Sequence, residues 1–204
     1  LIVNIKRDII TVQAVKYRPE GNIGYIRLIS SSEQADKGIK DAVKNLNQEI
    51  GADNLSGFIL DLRSNPGGLL DQSAKVTNNF LNSGEIVSIK GRDKKDISRF
   101  SASRGDIANG KPLIVLINEG SASASEIVAG ALQDHKRAIV LGSQSYGKGS
   151  VQTIFPLKDS SAIRMTTALY FTPSGDSIHE IGISPDIEVE NSYDSENQID
   201  NQLD

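Results

Sequence analysis

The chain has 204 residues, enough for one domain with an ordinary apolar core and no need of covalent staples. It has no cysteine and only two histidines, His135 and His179, which excludes disulfide frameworks, thiolate metal sites and cysteine nucleophiles and leaves little room for a histidine-rich metal centre. A net charge of −4, with 24% charged and 38% hydrophobic residues, argues against a nucleic-acid groove, and no apolar run approaches the ~20 residues that cross a bilayer.

The chain opens at Leu1 without a basic-then-apolar leader and reads as a piece of a longer protein, so the missing leader says nothing about compartment. Leu1 to Val15 alternates and is rich in Ile and Val, which predicts two short strands broken at Lys6-Arg7-Asp8. Gly24 to Leu28 is another strand. Ser30 and Glu33 have capping-box spacing, and Ile39, Val43, Leu46 and Ile50 then mark one helical face up to Gly51. Phe58 to Leu62 is a buried strand ending in the loop Arg63-Ser64-Asn65-Pro66-Gly67-Gly68, followed by a helix over Leu69 to Leu81.

Glu85 to Ile89 predicts a strand, and the polar stretch Arg92 to Gly110 a surface excursion. Leu113 to Ile117 is a buried strand that turns at Asn118-Glu119-Gly120 into a helix over Ser121 to His135. Ala138 to Leu141 is a further buried strand, followed by the glycine-rich loop Gly142 to Gly149. Val151 to Leu157 and Ala162 to Phe171 form a hairpin pair, Ile187 to Glu190 is a last strand, and Asn191 to Asp204 is an acidic polar tail. Strands alternating with helices at this spacing imply an α/β layout, whose ligands bind beyond the carboxyl ends of the strands.

Four loops qualify as candidate sites. Gly142 to Gly149 fits the first seven positions of a phosphate-binding loop, but Gly149 stands where a Mg²⁺-holding Ser or Thr is needed and the following residues read as strand. Ser145-x-x-Lys148 has the spacing of penicillin-binding serine enzymes, which works on a helix, yet its glycines make a poor helix, and that reading is rejected. Ser121-Ala122-Ser123-Ala124-Ser125-Glu126 begins a helix; it is either plain helix initiation or a nucleophile beside backbone N–H groups able to hold an oxyanion. With cysteine absent and histidine scarce, the base for a serine is most simply a lysine, and desolvation is what makes a lysine neutral. Lys148 follows a buried strand and can be shielded there, whereas Lys94-Lys95 lie in a polar run. Asn65-Pro66-Gly67-Gly68 is either a turn or a second source of oxyanion-binding N–H groups.

Together these stretches resemble the carboxy-terminal processing proteases, also called tail-specific proteases, of the Ser–Lys peptidase class. The resemblance is carried by Gly57 to Gly68, Gly120 to Ile127, Gly147 to Gln152, Tyr170-Phe171-Thr172-Pro173-Ser174-Gly175 and Gly182-Ile183-Ser184-Pro185-Asp186, in the family's order. It implies an α/β fold with a crotonase-like or Clp-protease-like ββα core and flanking short β-strands. The family sets nucleophile and base 25 residues apart (148 − 123), which selects Ser123 over Ser121 and Ser125 as nucleophile with Lys148 as base. Gln152, four residues on, would orient the amine. Glu126 matches a supporting position, and the oxyanion hole would use the N–H of Ala124 and one from Gly67 or Gly68.

The implied activity is a serine endopeptidase that cleaves substrates near their C-terminal tails through an acyl-enzyme, with activity falling at low pH as the lysine is protonated. The resemblance implies no cofactor and no metal, partners that are unfolded or C-terminally exposed protein substrates, a homo-oligomer as one option, and action in the bacterial periplasm or cell envelope. Family members carry a PDZ-like domain for which this chain has no room. Residues 1–20 are then strands bordering that domain, 21–190 the catalytic core and 191–204 the tail. The competing readings are a non-catalytic peptide-binding member of the fold and a crotonase-like acyl-CoA enzyme, which alone predicts tight CoA binding.

Overall fold

Two runs marked by sequence as buried strands, Phe58 to Leu62 and Leu113 to Ile117, become the centre of a six-stranded sheet. The computed structural model of the chain describes residues 13–93, 95–189, 193–194 and 199–200. Strand β1 (Val15–Glu20) pairs antiparallel with β2 (Ile23–Leu28), which lies parallel to β3 (Gly57–Asp61). The parallel order continues through β6 (Leu113–Ile117), β7 (Ile139–Gly142) and the short β10 (Ile187–Glu188). Before β6 come β4 (Glu85–Gly91) and β5 (Ile97–Ser101), which form a second, antiparallel sheet with β8 (Ser150–Pro156) and β9 (Ala162–Phe171), in the order β5-β4-β9-β8.

Three helices cover the parallel strands. Helix α1 (Ala35–Ile50) buries Ala35, Ile39, Ala42, Val43 and Leu46, the i, i+4, i+7, i+8 stripe of a helix with one apolar face. Helix α2 (Leu70–Asn78) packs between α1 and α3 (Ala124–Asp134). Phe58, Leu60, Val115, Ile117 and Val140 from the strands meet Ile39, Leu46, Val76, Ile127 and Leu132 from the helices in one core cluster. Each such side chain contributes about 1.5–3 kcal/mol on burial. Because β2, β3, β6 and β7 are parallel, the loops that follow them emerge at one end of the sheet.

One expectation needs correction, and three regions gain detail. The capping box at Ser30 and Glu33 does not form: α1 starts at Ala35 behind Gln34, which makes no side-chain cap bond. Ser31 is instead taken into a bridge with Gly68, its N–H donating to Gly67 O and its carbonyl accepting from Leu69 N. The excursion over Arg92 to Gly110 contains β5, whose exposed residues gave no apolar alternation to read. Within the tail, β11 (Tyr193–Asp194) pairs with β12 (Ile199–Asp200). Finally, β1 belongs to the main sheet as the first arm of a hairpin; of the strands expected at Leu1 to Val15, residues 1–12 lie outside the described residues, Gln13 and Ala14 are not strand, and β1 begins at Val15.

Candidate active site

The loops after β2, β3, β6 and β7 meet around the start of α3. The turn from β6 into α3 is held by Asn118, whose Oδ1 accepts from Ser64 N at 2.7 Å and Gly120 N at 3.1 Å. Ser121 is fully buried and donates to Leu62 O at 2.8 Å, and fully buried Ser125 donates to Asn65 O at 2.8 Å. Ser123, between them, is the one of the three that is partly exposed. Its backbone sits at φ 56°, ψ −112°, a strained conformation for a side-chain-bearing residue and the kind that projects a nucleophile from a strand-to-helix turn. The Ala124 N–H, first in the helix, has no partner among the described residues, as expected of an N-terminal helical turn.

Glu126 ties this turn to the lysine loop. Its carboxylate is completely buried, and Oε2 accepts from Ser123 N at 2.7 Å and Lys148 N at 2.9 Å. Oε1 accepts from Ser145 Oγ and Gly147 N, each at 2.6 Å. Four donors from two loops thus converge on one carboxylate, which fixes the main chain of Ser123 relative to that of Lys148. Ser145, itself buried, accepts Ile183 N at 2.7 Å, so the 182–186 segment closes the back of the loop.

The Gly67-Gly68 loop lies against Ser123. A Cβ on Gly67 would stand 2.9 Å from Ser123 Cβ and 2.9 Å from Ala124 N, and Gly67 adopts φ +100°, so no side chain fits there. Asn65, fully buried, carries the loop: its Nδ2 donates to Leu28 O at 2.8 Å and its Oδ1 accepts from Gly67 N at 2.9 Å. At the end of β3, Asp61 accepts from Tyr25 Oη at 2.5 Å and Arg63 Nη2 at 2.8 Å, a buried cluster bracing the same loop.

Lys148 and Gln152 behave differently. Both side chains are exposed, and among the described residues no hydrogen bond joins the Ser123 hydroxyl, the Lys148 amine and the Gln152 amide. The expected shielding of Lys148 is therefore absent: the glycines on either side leave no side chain to cover it. Helix-breaking at Gly149 is as expected, since β8 begins at Ser150 and not a helix. Sequence reading missed Asn65 and Ser145 as site residues. The signals were there, in the Asn of the turn and in the Ser145-x-x-Lys148 spacing, which reflects a shared partner in Glu126 and not a helical face.

The profile described as "Peptidase family S41" matches residues 22–189. The chain belongs to peptidase family S41. It is 61% identical over 190 residues to a carboxy-terminal-processing protease of Bartonella bacilliformis, covering 93% of this chain and 44% of that protein. A probable CtpA-like serine protease of Staphylococcus aureus is 40% identical over 202 residues, 98% of this chain and 40% of its own length. The chain thus spans less than half the length of these relatives. Among solved structures, a photosystem II D1 C-terminal processing protease superposes with a TM-score of 0.79 at 34% identity, over 89% of this chain and 49% of that one.

Proposed function

We propose that this S41 chain is the catalytic core of a serine endopeptidase, with Ser123 as nucleophile and Lys148 as general base. The observation that carries this reading is the Glu126 clamp, which holds the one partly exposed serine of its turn next to the one lysine of the facing loop. A neutral Lys148 amine takes the Ser123 hydroxyl proton as Oγ attacks the scissile carbonyl carbon. The N–H of Ala124 and one from Gly67 or Gly68 hold the developing oxyanion. The C–N bond then breaks, the leaving amine takes the proton from the Lys148 ammonium, and water hydrolyses the acyl-enzyme with Lys148 again as base.

The exposed amine needs a partner in this scheme. A substrate segment lying across the site would remove water from Lys148 and disfavour its charge, and Gln152 would then be placed to orient it. Substrates that are unfolded or expose a C-terminal tail suit an open site, since an extended segment can lie across it. The name borne by the Bartonella protein supports cleavage near C-termini, and the family resemblance supports action in the cell envelope and self-association as further parts of the proposal.

The test is cleavage of an unfolded protein ending in an apolar tail. Ser123→Ala should abolish it, Lys148→Ala should slow it by about 10²–10⁴-fold, and Ser125→Ala should leave it within about tenfold. Loss with Ser125→Ala and not with Ser123→Ala would reassign the nucleophile. Cleavage indifferent to all three substitutions would end the peptidase reading and leave a binding module on the same scaffold.

A further inference from the structure

The Ser145 hydroxyl, three residues before Lys148, bonds two groups: Glu126 Oε1 at 2.6 Å and Ile183 N at 2.7 Å. Its single proton has one place to go. An amide N–H can only donate, so Ile183 occupies a lone pair of Oγ, and the hydroxyl proton is left for the carboxylate oxygen. Ser145 N also donates to Ile183 O at 3.1 Å, which joins the two residues by a pair of bonds running in opposite senses. Next to them Gly182 adopts φ +76°, and a Cβ there would lie 2.6 Å from Ser145 O and 2.8 Å from Ser145 Oγ, so the two segments meet with no room for a side chain.

Both partners of Ser145 lead back to α3. Glu126 lies in its first turn. Ile183, almost fully buried, packs on Gly130, where a Cβ would stand 2.9 Å from Ile183 Cδ1. Residues four apart share one face of a helix, so Glu126 and Gly130 give the lysine loop a two-point seat. We infer that Ser145 is a positioning residue that, through Glu126 and Ile183, sets the register of the Lys148 loop against the helix capped by Ser123. This role rests on the Ser123–Lys148 reading above. Alanine at this position would satisfy neither partner, whereas threonine carries the same donor and acceptor.

Ser145→Ala should lower kcat by about 10²-fold, the scale of a displaced catalytic group, with KM within about threefold of wild type. The loss falls on kcat because the register of amine and hydroxyl matters to proton transfer and not to holding the ground-state peptide. Ser145→Thr should keep kcat within about fivefold of wild type. A folded Ser145→Ala protein with near-normal kcat, or with a raised KM alone, would overturn the inference. So would a threonine variant as slow as the alanine one.

Should Ser145→Ala fail to fold, backbone esters decide the question. Replacing Ile183 by its α-hydroxy acid removes only that N–H, frees the hydroxyl proton to turn away from Glu126, and should lower kcat by about tenfold. The same replacement at Ile181, whose N–H donates to Ile178 O at 3.3 Å, should cost less than about twofold. Equal losses, or the opposite ranking, would sink the assignment. A wild-type chain that forms no adduct with a peptidyl boronate at Ser123 would instead refute the peptidase reading, and the inference with it.

Discussion

The serine side and the lysine side of this site are built to different standards. Around Ser123 most polar side chains are buried and bonded: Asp61, Asn65, Asn118, Ser121, Ser125 and Glu126 all have hydrogen-bond partners. Lys148 and Gln152 lie on the root of the β8–β9 ribbon, with exposed side chains, and only the main chain of Lys148 is tied down, by Glu126. In the proposed mechanism the nucleophile and oxyanion donors would thus be preorganised by the fold, while the base would be left for the substrate to complete. An oxyanion donor must be in place before charge develops, whereas an amine needs only to lose water when the substrate arrives.

Removing the buried carboxylate that ties the two sides together should have the largest effect. Glu126→Ala would leave the N–H groups of Ser123, Gly147 and Lys148 and the Ser145 hydroxyl without their acceptor in a buried site. A loss of roughly 4 kcal/mol in unfolding free energy is expected, with cleavage abolished even where the protein remains folded. Denaturant unfolding beside an activity assay checks this. Stability within about 1 kcal/mol of wild type would mean that the loops are held by something else.

How far the sequence made these two sides legible follows from the same contrast. The apolar runs of β3, β6 and β7 identify themselves, because strands largely buried on both faces are runs of Phe, Ile, Leu and Val. The serine turn and Lys148 also stood out, since a serine and a lysine in such loops are chemically distinctive and carried the resemblance. Asn65 and Ser145 stood inside loops that the sequence marked, but their roles were not legible, because each binds the backbone of a segment far away in sequence, Leu28 for one and Ile183 for the other. Ser30 and Glu33 misled for a similar reason: a local capping pattern lost to the long-range bridge between Ser31 and the glycine loop.

A smaller effect tests the serine side through pH. Tyr25 is pushed up to about 12, first by burial and then by the Asp61 carboxylate beside it. Burial alone would raise Asp61, but the hydrogen bonds from Arg63 and Tyr25 outweigh it and hold this carboxyl below its ordinary value. The raised phenol contributes stability fully below about pH 10 and loses it as pH climbs from there toward the folded value. The lowered carboxyl contributes above about pH 4 and loses its share as pH falls further. Tyr25→Phe removes a hydrogen bond to a buried carboxylate and should be less stable by about 2 kcal/mol at neutral pH, with the gap to wild type narrowing above about pH 10. A gap that stays constant into that alkaline range would show that the phenol titrates alike folded and unfolded.

The smallest effects belong to the lysine side, and they are what most sharply separates it from the other. Phe155 faces Ile163 and Thr153 faces Met165 across the β8–β9 ladder, and Phe155, Ile163 and Met165 are all exposed. Half of each side chain is already in water, and β8 is the outermost strand of its sheet, so truncation removes a cross-strand contact without opening a cavity. Phe155→Ser should cost about 0.2–1 kcal/mol, against about 3–5 kcal/mol for Phe58→Ala in the fully packed core. Lys148→Ala should change stability by less than about 0.5 kcal/mol while removing most of the activity, because an exposed amine with no partner among the described residues adds little to the fold. Thermal unfolding of these variants together gives the comparison, and a Phe155→Ser loss of core size would mean that the ribbon is covered in solution, with Lys148 shielded before any substrate binds.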